Sequence, residues 1–104
     1  MTTEAFALSN DGRTRWPIDG AEPIRFRSHP GRLFWVHRGF SAKEMQDKTA
    51  GWRVTDAKTG LLVAGGIWDT NKRELIAKVR KVLLKNIDVD IDKRAAQLIK
   101  EMTQ

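Results

Sequence analysis

The first 70 residues alternate short apolar runs with turn-forming residues, a pattern typical of short β-strands joined by tight turns. Residues 6–9 and 13–18 flank the Asn-Asp-Gly triplet at 10–12, which predicts a first hairpin because these residues favour tight turns. The two prolines and the glycine within residues 17–23 then predict a loop.

A second strand pair is predicted for residues 24–27 and 33–38. The first segment alternates apolar and basic positions, so we expect Ile24 and Phe26 toward the core and the arginines toward solvent. The second segment, LFWVHR, is largely apolar on both faces. It is therefore either a central strand covered on both sides or a strand that exposes one face for binding.

The clearest hairpin is predicted for residues 52–56 and 61–64, with Gly60 in the left-handed position of the turn between them. Ahead of it, Ser41 and Glu44 fit a capping box, in which the serine hydroxyl accepts a backbone N–H and the glutamate reaches back to the cap. This pattern predicts a short helix over residues 42–48, or else an irregular loop.

In the last third of the chain, apolar residues recur with the period of an α-helix. Residues 71–85 carry one apolar stripe, which predicts a helix with its N-cap at Thr70 or Asn71.

The segment after this helix has a different pattern. Residues 87–91 alternate isoleucine or valine with aspartate, which predicts an extended segment or a short edge strand. Asp92 is then expected to cap a final helix over about residues 93–102.

Together these elements predict a single α+β domain over residues 1–104, in which an antiparallel sheet of about four to six strands carries the long helix and the C-terminal helix on one face. The apolar fraction of 40%, with four Trp and four Phe, suffices for one modest core. The absence of cysteine excludes disulfides, thiol catalysis and thiolate zinc sites. No apolar run approaches the roughly 20 residues of a membrane span, and no signal segment is recognisable, so we expect a cytoplasmic protein.

The net charge of +6 is concentrated in two blocks. Residues 23–43 hold five cations and no acid, and residues 71–85 hold six cations and one acid. Such clusters favour an anionic partner, nucleic acid above all, although a solvated basic surface is the alternative. The cations predicted to contact the partner are Arg25, Arg27, Arg32, Arg38, Lys43, Lys78, Lys81 and Lys85.

Aromatic residues are interleaved with the arginines of the first block, a combination that holds single-stranded nucleic acid when the rings are exposed. Trp35 is the aromatic residue predicted to contact the partner; the alternative is that the aromatic rings face the core. The three lysines at 78, 81 and 85 lie together at i, i+3 and i+7, where they extend the basic patch or simply face solvent.

Catalytic and metal-binding signals are weak. His29 and His37 have no recognisable partners for acid–base chemistry. The three aspartates within residues 88–92 resemble the opening of a calcium loop, but Lys93 and Ile99 stand where that loop needs Gly and Glu. We therefore predict a binding protein with no catalytic activity, no metal and no cofactor.

The stretch GWRVTDAKTGLLVAGG, followed by TNKRELIAKVRKVLL, covers about a third of the chain and resembles small uncharacterised proteins of phages and other mobile elements. The resemblance rests on the strand at Trp52 and Val54, the turn at Thr59 and Gly60, and a helix opened by a Thr/Asn cap. It implies a short accessory protein, in a class that includes inhibitors of host defence such as anti-CRISPR proteins, many of which block a nucleic-acid-handling complex.

Three hypotheses follow. The first is a non-catalytic module that binds nucleic acid through its basic surface. The second is a small protein-binding inhibitor or accessory factor, whose contact centres on an exposed Trp35 or Trp68 with an arginine rim. The third is a self-assembling phage component. The oligomeric state is open, with a homodimer as one option.

Overall fold

The structure is a computed structural model that describes residues 5–8, 15–18, 20–38, 51–63 and 67–102. Its elements in chain order are β1 (Phe6–Leu8), β2 (Arg15–Pro17), β3 (Glu22–Ile24), β4 (Phe34–Arg38), β5 (Trp52–Asp56), α1 (Lys72–Lys85) and α2 (Ile91–Met102). The predicted α+β class is confirmed. The helix predicted for residues 42–48 lies outside the described residues.

Within the described residues, the strands form two antiparallel sheets. β1 pairs with β2, and β3, β4 and β5 form a second sheet in that order. The predicted antiparallel pairing is therefore confirmed, but a single sheet of about four to six strands is not. In the larger sheet, Val36 of β4 lies opposite Glu22 on one side and opposite Val54 on the other. Because β4 is central and its first four residues are buried, it is covered on both faces.

Two prolines lie in strands where the sequence predicts a loop. Pro17 ends β2, and Pro23 occupies the middle of β3, which is an edge strand. Proline is tolerated at a sheet edge because its missing N–H need not join the hydrogen-bonded ladder. The strand predicted for residues 24–27 consequently begins earlier and ends at Ile24. Phe26, just beyond it, is nevertheless buried.

The turn after β5 has the predicted left-handed glycine. Gly60 has a φ of 77°, and its N–H donates to the Asp56 carbonyl at 2.8 Å. A Cβ at this position would also collide with the ring of Phe6, so glycine is needed for space as well as for conformation. The second strand of this hairpin is reduced to a single bridge between Thr55 and Leu62.

Helix α1 packs its apolar stripe on one face of the larger sheet. Its N-cap is Asn71, whose Oδ1 accepts the Glu74 N–H at 3.0 Å. The N-cap prediction is confirmed at the second of its two positions. The buried cluster formed by the helix, the sheet and the segment after β3 consists of Phe26, Phe34, Val36, Val54, Leu75, Val79 and Leu83.

Helix α2 begins earlier than predicted, at Ile91. Asp90 rather than Asp92 caps it, because Asp90 Oδ1 accepts the Lys93 N–H at 3.1 Å. Residues 86–89 form turns, so the extended segment or edge strand predicted for residues 87–91 is wrong. The alternating pattern arose because two aspartates of the turn and cap happen to separate apolar residues.

Candidate nucleic-acid interface

Arg32, predicted to contact the partner, instead joins two parts of the fold. Its Nε donates to Asp56 Oδ1 at 2.9 Å, and its Nη2 donates to Asp56 Oδ2 at 2.7 Å. The Asp56 carboxylate is buried. Its bidentate hydrogen bonding with the guanidinium is the main reason why the pKa of Arg32 is raised. Its charge is neutralised inside the protein, so we reassign Arg32 from a partner contact to a structural cation.

Asp92 extends this ion pair into a network at the start of α2. Its Oδ1 lies 3.2 Å from Arg32 Nη2 and 3.1 Å from Lys58 Nζ. Hydrogen bonds from Arg32 and then from Lys58 hold the pKa of Asp92 below its usual range. A cavity of about 580 Å³ lies beside the network and is also lined by His29. The two cations that line it are already paired with carboxylates.

The histidine of this cavity adds no positive charge at neutral pH. Burial, and then the neighbouring Arg32, lower the pKa of His29, and its Nδ1 lies 2.8 Å from Ser28 Oγ. Across the described part of the chain, no group of three or more His, Cys, Asp or Glu side chains is placed to hold a metal ion.

Two further residues predicted to contact the partner lie in or against the fold. Trp35 is only 9% exposed, which corrects its assignment as a binding platform. The guanidinium carbon of Arg38 lies 4.7 Å from the centre of the Trp52 ring, and Lys72 Nζ lies 5.2 Å from the same centre. Arg38 therefore makes a cation–π contact within the protein. Lys72 also forms an ion pair with Glu22.

Of the four lysines of α1, Lys72 and Lys78 form ion pairs within the described part of the chain, and Lys81 and Lys85 do not. Lys78 Nζ donates to Asp69 Oδ2 at 2.7 Å, and this bond is the main cause of the lowered pKa of Asp69. Lys81 and Lys85 are exposed and form no ion pair with any residue in the described ranges.

Two arginines of α1 that the sequence analysis did not single out complete this surface. Arg73 and Arg80 are exposed and likewise have no ion-pair partner among the residues described. Helical periodicity places them across the buried stripe from Lys78. Because Lys78 bonds Asp69 beside β5, these two arginines lie on the β3 side of the helix. Their i, i+7 spacing was the sequence signal that could have identified them.

Two of the remaining predicted cations lie just beyond β3. Arg25 and Arg27 follow β3, are exposed, and alternate with the partly buried Ile24 and the buried Phe26, as expected. Because Ile24 and Phe26 pack on the core that α1 covers, this alternation points Arg25 and Arg27 away from α1. The structure therefore does not bring these arginines together with the lysines of α1. Lys43 lies outside the described residues.

Trp68 is the aromatic side chain that the structure leaves most open among the described residues, at 56% exposure. It lies in the short segment between β5 and α1. A Cβ built on Gly51 would lie 2.5 Å from Trp68 Cε3, so the indole rests directly on the Gly51 backbone. From the sequence, Trp35 and Trp68 are equal candidates for an exposed contact, because sequence alone does not distinguish a covered tryptophan from an open one.

Comparison with protein-family models, with curated proteins and with solved structures finds no match to this chain. The resemblance to phage and mobile-element proteins therefore stays a prediction. Within the described residues, no helix combines the length and apolar character needed to cross a membrane.

Proposed function

We propose that this protein is a non-catalytic, cytoplasmic module that binds nucleic acid through the outer face of α1. The observation that carries the proposal is the set of four exposed cations on that face without an ion-pair partner among the described residues. They are Arg73, Arg80, Lys81 and Lys85.

The charge balance of the surroundings supports an external anion. The one acid within α1 is Glu74, in the first helical turn. Nearby carboxylates are already engaged, since Glu22 pairs with Lys72 and Asp69 with Lys78. A helix surface with unpaired cations concentrates positive potential and attracts phosphates.

The proposal predicts binding that weakens steeply with salt. Each phosphate neutralised by a protein cation contributes about −0.9 for duplex DNA, and about −0.7 for a single strand, to the slope of log K against log salt. The measurement is fluorescence anisotropy of labelled oligonucleotides over a salt series. We expect a double substitution, Lys81→Gln with Lys85→Gln, to weaken binding and to make the slope less negative by about 1.4 to 1.8 if both lysines contact phosphate.

Lys93→Gln is the matched control, because Lys93 is an exposed lysine on the other helix, α2. It should leave both the affinity and the salt slope close to those of the unsubstituted protein. Binding that is absent, or that does not respond to salt, would remove the proposal.

A second function is favoured by a separate observation. An apolar cavity of about 470 Å³ lies between α1, α2 and residues 61–63, and Ile87 and Val89 beside it are exposed. We infer an alternative role as a small accessory factor or inhibitor of phage or mobile-element type that binds a host nucleic-acid-handling complex. A pull-down with immobilised protein should then recover one specific host protein after nuclease treatment. Loss of all captured protein on nuclease treatment contradicts this alternative.

A further inference from the structure

Trp68 and the Asp69–Lys78 ion pair lie on opposite faces of one sheet edge, and we propose that this edge, together with the lysines further along α1, selects single-stranded over double-stranded nucleic acid. The inference rests on the proposed nucleic-acid binding and specifies the form of its ligand. Bases would stack on Trp68, and phosphates would contact Lys81 and Lys85.

The segment that carries Trp68 is held against the sheet. Trp52 and Asp69 exchange both backbone hydrogen bonds, with the Trp52 N–H donating at 2.7 Å and the Asp69 N–H at 3.2 Å. Asp69 thereby forms a single bridge to the outer edge of β5. The indole is seated on Gly51 and yet remains more than half exposed. A ring positioned in this way loses little side-chain freedom when a flat ligand stacks on it.

The register fixes which side of the sheet Trp68 occupies. Trp52 and Asp69 are directly opposite each other, so their side chains are on the same face, and Asp69 reaches Lys78 of α1. Side chains alternate along a strand, so Trp68 is on the other face. The ring and the Asp69–Lys78 ion pair are therefore on opposite faces of the sheet at this edge.

A surface that bends around an edge suits a flexible polymer. A single strand can leave its phosphates on the helix and turn its bases onto the indole. Duplex DNA has a persistence length of about 50 nm and keeps its bases stacked inside, so it cannot follow the same path without deformation. The Asp69 carboxylate lies on the way, but its charge is balanced by Lys78 at 2.7 Å.

The experiment compares a labelled oligothymidine of about 15 nucleotides with a duplex of equal length, using the full chain and its Trp68→Ala variant. We expect the full chain to bind the single strand more tightly. Stacking of one base contributes about 1 to 3 kcal/mol, so Trp68→Ala should weaken single-strand binding by about 5-fold to 150-fold. Duplex affinity should change less than twofold. Trp68→Phe keeps an aromatic face and should restore part of the loss.

Far-UV circular dichroism and the midpoint of thermal unfolding show that the variant is folded. Because the Trp68 side chain is more than half exposed, the spectrum and the midpoint of the variant should match those of the unsubstituted protein. Equal affinity for the two ligands, or an equal loss for both on Trp68→Ala, overturns the inference and leaves the proposed function standing. Binding of neither ligand at low salt overturns the proposed function itself. Trp68→Ala could leave oligonucleotide binding unchanged but abolish capture of a host protein. That result assigns Trp68 to a protein partner and also overturns the inference.

Discussion

The two helices have the same amphipathic design but are held to the fold by different forces. In α1, Leu75, Val79 and Leu83 are buried against the sheet. In α2, Ala95 is the one fully buried residue, while Leu98 and the other large apolar residues are only partly covered. At the start of α2, Ile91 packs against the core cluster and Asp92 pairs with Arg32 and Lys58. One helix is held by a fully buried stripe, and the other by partly buried residues together with ion pairs.

The hydrophobic period of a helix predicts only part of how the helix is held in the fold. The period identifies which side of a helix is apolar, but it does not say how completely that side is covered. The cavity of about 470 Å³ between the helices is the space that larger or closer side chains would otherwise fill. Stability should therefore depend far more on the stripe of α1 than on the stripe of α2.

Truncating one leucine in each helix tests whether α1 is packed more tightly than α2. Leu75 is completely buried, so Leu75→Ala should lower the free energy of unfolding by about 3 to 5 kcal/mol through lost burial and the cavity left behind. Leu98 borders the open cavity, and Leu98→Ala should cost under about 1 kcal/mol. Denaturant unfolding measures both values. Equal losses would mean that α2 is as well packed as α1.

A smaller effect is expected from removing the cation that links α2 to the sheet. In Arg32→Gln, the buried Asp56 carboxylate still accepts hydrogen bonds from the Thr59 N–H and hydroxyl. It loses its cationic partner. We expect a loss of about 2 to 3 kcal/mol in the free energy of unfolding. Amide hydrogen exchange should also become faster in α2 than in α1, because α2 loses the bond to Asp92.

Two variants sharpen this second prediction. Arg32→Lys keeps the charge but cannot form the two-pronged contact, so it should restore only part of the stability. Arg25→Gln removes an exposed arginine after β3 and should change stability by less than about 0.5 kcal/mol. If Arg32→Gln is as mild as Arg25→Gln, α2 is not held by this ion pair.

Local patterns predicted much of the fold. The stripe of α1, its cap at Asn71 and the left-handed Gly60 all depend on residues close together in sequence, where helix period and turn chemistry act. Pairing across the chain was harder to predict. Arg32 and Asp56 are separated by 24 residues, and a charge in a short segment is normally expected to face solvent.

The predicted contact surface shows the same limit. Arg25 and Arg27 are exposed and alternate with the covered Ile24 and Phe26, a pattern that the sequence displays directly even though β3 ends at Ile24. Trp35 is buried, and its alternating pattern allowed either outcome because both faces of β4 are apolar. Trp68 rests one side of its indole on the Gly51 backbone and leaves more than half of its surface exposed. That contact spans 17 positions of the chain and has no signature in either local segment.

The smallest expected effect is a dependence of the α2 anchor on acid. The pKa of Asp92 is held below its ordinary value by Arg32 and Lys58, so the ionised form is favoured in the folded protein. The stability that this carboxylate supplies is fully present above its unfolded pKa of about 3.9 and disappears as the pH falls through the lower, folded value.

Asp92→Asn has no carboxylate to titrate and imitates the protonated state. The difference in thermal midpoint between the unsubstituted protein and this variant should therefore be constant from neutral pH down to about pH 5, and should vanish in stronger acid. Asp88→Asn, which changes an exposed aspartate for which the structure shows no ion pair, should give no such pH-dependent difference. A difference for Asp92→Asn that stays unchanged below pH 3 would mean that α2 is held at this position by packing, as α1 is.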